Sequence, residues 1–409
     1  MKLTTLLGFL AMFAAPLYAQ SPPKGIWLSP AEIGTLPMTG TAWEAMKKEA
    51  LVDPWATPDL SNQDSRANVQ VLAGAFYAVR TGSVSMRDRV RAAVARIPET
   101  ENGGRTLALG RELAAYVIAI DLVGWDTAAK ETAFKAWLSK VRTETLDGKT
   151  LISTQETRPN NWGTQAGFSR VVAAIYLSDT ADLARAAVVF RGWMGDRAAY
   201  AKFVYGDLDW HADPTKPVGI NPKGSTIGGH NVDGVQPEEM RRTGSFEWPP
   251  PISDSNFNYE YTGLAGALCE AWVLQRWGYP DVWTWSDGAL GRAYRWIILE
   301  AKSTPTGNDL WQPWMINAAT GTTWKTVSPA PISREIGWVD WTHAKPWGPP
   351  PPPPPPPPEE DFMLSFNFQF LEETKTWSVN VNPTNGFKAG TGATPSEALN
   401  DFTIKNPGL

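Results

Sequence analysis

Two asparagines, an arginine and a tryptophan stand together in the segment RPNNWG, residues 158–163, where a helix is predicted to begin. One asparagine would be enough to cap such a helix. Arg158, Asn160, Asn161 and Trp162 together indicate a surface that holds something polar and flat. The alternative is that both asparagines serve as helix caps only.

Two further segments place polar and ionisable side chains at the edges of predicted helices. GGHNVDGVQPEEMRR covers residues 228–242, and NFNYEYTGLAGAL covers residues 256–268. Loops at helix ends line clefts, so these segments could meet RPNNWG there. The residues in them that could do chemistry are His230, Arg241, Arg242, Tyr259 and Tyr261. In the alternative interpretation, the arginines pair with Glu238 and Glu239 on one helical turn, and the tyrosines are core-edge residues.

The acidic residues indicate a metal site less strongly than the segments above indicate a polar binding site. Asp207, Asp209, His211 and Asp213 alternate in DLDWHADP, and such spacing on an extended loop can bind Ca²⁺. No Gly–Glu completion of a helix-flanked calcium loop follows. The interpretation that we favour for this segment is a turn-rich loop, and we expect no metal and no cofactor.

Tryptophan is unusually frequent, with 21 residues. A tryptophan-rich core must explain many of them, but several lie among Pro, Gly and Asp rather than in periodic helices. Indoles on loops stack well on the apolar faces of sugars. The residues for which we expect this role are Trp210, Trp248, Trp311, Trp314, Trp338 and Trp341, and we assign Trp248 to substrate binding.

The elements around these segments are predicted to be mainly α-helical. Apolar residues recur at spacings of three and four in AWEAMKKEAL, ANVQVLAGAFYAVRTG, SMRDRVRAAVARI, RTLALGRELAAYVIAIDLVG and TAAKETAFKAWLSKVRTETL, and near residues 164–178, 180–201, 260–278 and 286–302. Short connections favour antiparallel hairpins, so we predict an α/α toroid, or incomplete barrel, of helical hairpins. Residues 203–257 do not show this helical periodicity, and irregular stretches of this length are usually functional.

Ten consecutive prolines, Pro349–Pro358, divide the chain. Such a run forms a stiff polyproline II spacer. It separates a body at 20–348 from a tail at 359–409, in which MLSFNFQFLEETKTWSVNVNP predicts a β-hairpin and TPSEALNDF predicts a helix capped by Thr394. We predict a small ββα module of unknown partner: surface or carbohydrate attachment is one role, and a folding cap is the other.

The N-terminal residues 1–19 have a lysine, an apolar run and small residues, which is typical of a secretory signal peptide. We therefore expect a secreted or periplasmic protein without a membrane span in its mature form. The net charge of −5 and the lack of a basic run give little support for nucleic-acid binding. The one cysteine, Cys269, is expected to be a small buried apolar residue.

Taken together, the three polar segments resemble the alginate lyase type of polysaccharide lyases. That family has an Asn-Asn-His stretch opening a helix, then Asp-x-Gly-x-x-Pro-x-Glu-x-x-Arg, then a helix start that contains tyrosine. The counterparts here are Asn160-Asn161-Trp162, VDGVQPEEMRR and Tyr259 or Tyr261. The match spans roughly residues 105–300, and its specificity lies in the order and spacing of three segments.

The resemblance implies β-elimination on an acidic, uronate-containing polysaccharide. Asn161 would bind the uronate carboxylate with Arg242, whose distance from Pro237 matches the family spacing better than that of Arg241. Amide and cationic donors at this position stabilise the enolate-like charge. Tyr261 or Tyr259 would act as the acid and base.

Trp162 stands where the family has histidine, and an indole cannot accept a proton. Three interpretations follow: His230 fills the position, tyrosine performs all proton transfer while Trp162 stacks on a sugar, or catalysis is lost. Two other functions stay open. One is a non-catalytic glycan-binding protein, and the other is a glycoside hydrolase, which needs a carboxylate pair. The carboxylates available for that pair are Asp207, Asp209, Asp233, Glu238 and Glu239.

Overall fold

The computed structural model of the protein describes residues 25–251, 254–344, 365–371, 374, 376–382, 390–392, 397, 401 and 405. The side chains of residues 254–258 are not described. The predicted signal peptide and the polyproline run lie outside the described residues, and of the predicted helix after Thr394 only Glu397 and Asp401 are described. The chain divides into two compact units, Met1–Gly348 and Pro349–Leu409.

The first unit is mainly helical, which confirms the predicted class. Its helices are α1 (Pro30–Thr35), α2 (Thr41–Ala50), α3 (Ala67–Thr81), α4 (Val84–Val94), α5 (Thr106–Val123), α6 (Ala128–Val141), α7 (Leu151–Thr157), α8 (Asn161–Tyr176), α9 (Thr180–Trp193), α10 (Pro237–Met240), α11 (Asp254–Arg276), α12 (Trp285–Leu299), α13 (Gln312–Thr320) and α14 (Val339–Thr342). Short 3-10 helices cover Arg241–Thr243, Val282–Thr284 and Gly307–Asp309. Strands β1 (Thr226–Ile227) and β2 (His230–Asn231) form a small antiparallel ladder within the irregular stretch.

Helix α8 lies at the centre of this unit and packs against α5 and α11. Glycines allow both close approaches. A Cβ on Gly110 of α5 would lie 2.9 Å from the backbone nitrogen of Ala166, and one on Gly266 of α11 would lie 2.6 Å from that of Gln165. Distances this short are not tolerated by real side chains, so α5 and α11 depend on glycine to come this close to the N-terminal half of α8.

Most of the loop tryptophans belong to the core, which corrects the prediction that they are sugar platforms. Trp210, Trp311, Trp338 and Trp341 are all buried. The indole N–H of Trp210 donates to the carbonyl of Gly244 at 3.0 Å, and that of Trp341 to the carbonyl of Pro37 at 2.8 Å. An indole can therefore fill the core beneath an irregular segment and satisfy one backbone carbonyl of that segment.

Cys269 is buried in α11, as predicted. None of the helices in the described part of the chain combines the length and apolar character that crossing a bilayer requires.

The second unit contains three described strands, β3 (Ser365–Leu371), β4 (Thr376–Asn382) and β5 (Gly390–Gly392). Strand β3 pairs antiparallel with β4, with Ser365 opposite Asn382 and Leu371 opposite Thr376. These are the two strands of the predicted hairpin. Strand β5 adds to the other edge of β4, also antiparallel.

Candidate active site

A cleft of about 590 Å³ opens where α5, α8 and α11 begin. Among the described residues that line it there are four arginines and no carboxylate or histidine. The described residues that line it are Gln63, Arg105, Leu107, Arg111, Asn161, Trp162, Arg242, Tyr259, Thr262 and Arg334. The lining therefore concentrates guanidinium groups in a chain whose net charge is −5. Such a local concentration of guanidinium groups attracts anionic ligands.

The two asparagines of RPNNWG have different positions. Asn160 is the N-cap of α8, and its side-chain oxygen accepts from the backbone N–H of Trp162 at 3.2 Å. Asn161 is the first residue of α8 and lines the cleft. Its backbone N–H and its side-chain Nδ2 both donate to the carboxylate of Glu239, the latter at 3.2 Å. Only Asn161 is therefore placed to reach a ligand.

Glu239 is a buried carboxyl that the sequence interpretation treated only as a salt-bridge partner or a hydrolase candidate. Burial raises its pKa to about 7, and Glu238 acts in the same direction. The hydrogen bonds from Asn161 and the charge of Arg242 oppose this rise. The only sequence signal was its place in PEEMRR, immediately before the two arginines.

Arg241 and Arg242 have different surroundings. Arg241 donates from Nε to Glu238 at 2.8 Å, so the alternative interpretation, a salt bridge on one helical turn, is correct for this residue. Arg242 lines the cleft, and its guanidinium carbon lies 4.7 Å from the ring centroid of Tyr259. Arg242 thus brings a cation next to the phenol of Tyr259.

Trp162 lines the cleft, but a guanidinium covers one of its faces. The guanidinium carbon of Arg158 lies 4.2 Å from the indole centroid. Burial lowers the pKa of Arg158, Asp147 opposes this effect, and the charge of Arg242 adds to it. Arg158 therefore packs on one face of the Trp162 indole, and at most the opposite face is left for a sugar ring.

Six of the predicted site residues are not among the lining residues: Asn160, Arg158 and Arg241, which have the contacts described above, and Tyr261, His230 and Trp248. Tyr261 is buried, and its hydroxyl donates to the carbonyl of Ser303 at 2.9 Å. Burial raises the pKa of this phenol further above its ordinary value. His230 on β2 is exposed and stacks on Trp248, with centroids 4.9 Å apart and ring planes at 16°. His230 and Trp248 thus form a contact of their own, outside the lining of the cleft.

The alternating segment DLDWHADP does not form a metal site in the structure. Within the described residues, no group of three His, Cys, Asp or Glu side chains is close enough to hold an ion. His211 is buried, and its Nδ1 accepts from the backbone N–H of Val218 at 3.4 Å. Burial lowers the pKa of His211 to about 4, which keeps the ring neutral at ordinary pH.

Sequence reasoning missed three of the four arginines that line the cleft. Arg111, inside the apolar helix α5, donates from Nε to Gln165 at 2.8 Å, and Gln165 in turn donates to Glu335 at 2.8 Å. Arg105 pairs with Asp147 at 3.5 Å, and Arg334 pairs with Asp64 at 3.0 Å. The available signal was Arg111 itself, because an arginine in the middle of a buried apolar helix needs a specific reason.

No protein-family model, curated protein or solved structure matches this chain. What the cleft can do must therefore be argued from its residues. Guanidinium groups and an amide N–H can bind and neutralise a carboxylate, and a phenol can exchange a proton.

Proposed function

We propose that the protein is a polysaccharide lyase that cleaves a uronic-acid-containing polysaccharide by β-elimination. The observation that carries this proposal is the cleft lining, whose described residues place Asn161, Arg242 and Tyr259 among three further arginines and include no carboxylate. The proposal includes the expected α/α toroid of the alginate lyase type. The segment at residues 1–19 supports export of the enzyme, because it has the composition of a signal peptide.

The proposed reaction requires stabilisation of negative charge on the sugar. Removal of the C5 proton converts the uronate carboxylate into an enolate-like dianion, which is very unstable in water. The Nδ2 group of Asn161 and the guanidinium of Arg242 would donate to the carboxylate oxygens as this charge develops. Because donors at this position bind the intermediate more tightly than the substrate, they accelerate the reaction.

Proton transfer is assigned to Tyr259. Acting as the base, the phenolic oxygen in its deprotonated form would take the C5 proton, the C5–H electron pair would form the C4–C5 double bond, and the C4–O bond would break. The phenol then returns its proton to the departing glycosidic oxygen, which regenerates the phenolate. Tyr261 is not used, because its hydroxyl donates to Ser303 in the core. His230 is not used either, because it lies with Trp248 outside the cleft lining.

A glycoside hydrolase is less compatible with the arrangement. Hydrolysis needs two carboxyl groups that face each other across the scissile bond. Asp233 pairs with Arg292, Glu238 pairs with Arg241, and Glu239 is buried against Asn161. None of these three carboxylates is among the residues that line the cleft.

A non-catalytic glycan-binding protein is the second candidate. The observation that favours it is Trp162, which stands where the resembled family has histidine and lines the cleft. A cleft with an indole and four arginines could hold an acidic polymer without cutting it. This candidate and the lyase make opposite predictions about the polymer after incubation.

The deciding experiment follows near-ultraviolet absorbance while the mature protein is mixed with alginate, glucuronan, pectate, hyaluronan or chondroitin. An increase in the signal of unsaturated uronate, absent from the Asn161→Ala variant, supports the lyase and names the polymer. Shortened chains without that signal indicate hydrolysis. Intact chains that nevertheless bind with measurable affinity indicate the glycan-binding protein.

A further inference from the structure

The contact between Glu239 and Asn161 joins residues that are far apart in the sequence. Both oxygens of the Glu239 carboxylate accept from Asn161, one from its backbone N–H and the other from its Nδ2 at 3.2 Å. Both residues are almost completely buried, with exposures of 1% and 2%. The helix start that carries Asn161 is thereby bound to α10 through a single carboxylate.

Glu239 has little freedom in this position. A Cβ on Gly263 of α11 would lie 3.1 Å from the Cγ of Glu239, so the glycine at this position leaves room for the Glu239 side chain. The neighbouring Gln236 donates from Nε2 to the carboxylate of Glu260 at 2.7 Å. This second buried carboxyl group therefore has a hydrogen-bond donor of its own. The side chain of Glu239 is thus packed closely against Gly263 of α11.

An ionised carboxylate only accepts hydrogen bonds, and this determines the orientation of the amide beside it. An asparagine side chain has an N–H edge and a carbonyl edge of nearly the same shape. One oxygen of Glu239 accepts from the backbone N–H of Asn161, so the other oxygen is the acceptor that requires the N–H edge of the side chain. Since Nδ2 carries two hydrogens, one can bind Glu239 while the other stays available to the cleft that Asn161 lines.

We propose that Glu239 is a positioning residue that fixes the Asn161 amide with an N–H available to a substrate carboxylate. This inference rests on the proposed function, and it adds a residue that does not itself line the cleft. Turning the amide over would exchange the positions of Nδ2 and Oδ1 and would remove the N–H that Glu239 holds in this position. Glu239 acts through Asn161 alone and does not exchange protons with the sugar.

The orientation should depend on pH. A protonated Glu239 presents one hydroxyl donor, which conflicts with the Nδ2 donor of Asn161 and favours the opposite amide orientation. The charged groups that face Glu239 are Glu238 and Arg242 from its own segment and Glu260 from α11. Burial, the largest effect, raises the pKa of Glu239 to about 7, so the carboxyl would change state close to neutral pH.

The first test compares Glu239→Gln with Glu238→Gln on the polymer that the wild-type protein cleaves. The glutamine at 239 has one acceptor and one donor, so it reproduces the protonated state permanently. We expect kcat to decrease roughly 100-fold, the order of loss when one charge-stabilising donor is removed. The wild-type increase of kcat with a midpoint near pH 7 should disappear in Glu239→Gln and remain in Glu238→Gln. Equal losses in both variants, or an unchanged midpoint in Glu239→Gln, would overturn the proposal.

A double variant separates positioning from a general structural role. If Glu239 acts only through Asn161, then Asn161→Ala combined with Glu239→Gln should be no slower than Asn161→Ala alone. Thermal unfolding of each variant shows whether it folds. Multiplicative losses in folded variants would contradict the proposal.

A second measurement needs no substrate, and the only variant it uses is the one that assigns the resonances. In the wild-type protein, the side-chain amide resonances of Asn161 should shift with pH around 7, and they are assigned by their absence in Asn161→Ala. If these resonances do not titrate, the positioning role is wrong whatever the activity. If they titrate but no polymer is cleaved, the pair exists as described, and it is the proposed lyase function that fails.

Discussion

Arg242 lies over the ring of Tyr259, with its guanidinium carbon 4.7 Å from the ring centroid. This contact joins the segment after α10 to the start of α11 at the edge of a cleft that both side chains line. A cation that can bind a carboxylate therefore lies next to a phenol that can transfer a proton. The arrangement meets the two requirements of β-elimination, charge neutralisation and proton transfer, with neighbouring groups.

The two adjacent arginines should behave differently when each is replaced by alanine. Arg242→Ala should lower kcat/KM roughly 100-fold, because it removes a cation from the proposed carboxylate site. Arg241→Ala should leave kcat nearly unchanged and lower the free energy of unfolding by about 2 kcal/mol, because the buried Glu238 loses a charged partner. Steady-state kinetics and denaturant unfolding of both variants test this, and greater kinetic damage from Arg241→Ala would refute the assignment.

The two tyrosines of α11 provide a second matched pair. Tyr259→Phe should abolish cleavage and leave polymer binding within a few-fold of wild type, since only the proton-carrying hydroxyl is removed. Tyr261→Phe should retain activity and lose about 1 kcal/mol of stability, because the hydrogen bond to Ser303 is lost. Product absorbance and thermal unfolding distinguish the two effects. An active Tyr259→Phe enzyme would rule out Tyr259 as the acid and base.

The asparagine pair separates helix capping from ligand binding. Asn160→Ala removes the side-chain cap of α8 and should cost about 1 kcal/mol of stability, with activity largely kept. Asn161→Ala should reduce kcat by roughly 100-fold or more. The control for folding is the thermal unfolding transition of each variant. Similar kinetic losses in both would mean that the helix start, rather than the amide of Asn161, is what matters.

Glu112 should make the stability of the protein depend on pH. It is fully buried in α5, and its two carboxyl oxygens have no hydrogen-bond partner among the described residues. Burial raises its pKa from 4.5 to about 10, so the folded state keeps a proton that the unfolded state has lost. The stability that comes from this proton is complete below pH 4.5 and is lost as pH rises towards 10. The slope should reach about 1.4 kcal/mol per pH unit.

The variant Glu112→Gln tests this dependence, because an amide does not titrate. Its free energy of unfolding should increase relative to wild type as pH rises between 4.5 and 10. Urea unfolding of both proteins at several pH values measures the difference. A difference that stays constant over this range would show that Glu112 is ionised, or is solvated, in the folded protein.

Local sequence determined the helices, because helical periodicity, caps and glycine stops act within a few residues. The segment ANVQVLAGAFYAVRTG contains α3 at Ala67–Thr81, and the asparagine at 160 was a predicted cap that the structure confirms. Short helices were missed. Helices α7 and α10 are only 7 and 4 residues long, too short to show a period.

Which member of each residue pair faces the cleft was decided by tertiary structure. Successive residues of an α-helix are about 100° apart, so Tyr259 and Tyr261 of α11 point to nearly opposite sides. Sequence therefore determined that both could not line one cleft, and the packing of α11 placed Tyr259 there and Tyr261 in the core. The sequence could not decide which loop tryptophans are buried either, because a loop indole is exposed or buried according to what packs over it.

The contacts that complete the site join residues remote in sequence. Glu239 reaches Asn161 across 78 positions, and Gln165 reaches Glu335 across 170. Local pattern determines the type of each side chain and the element that carries it. Only tertiary packing brings these side chains together, because burial against neighbouring segments, rather than spacing along the chain, sets their distances and their pKa values.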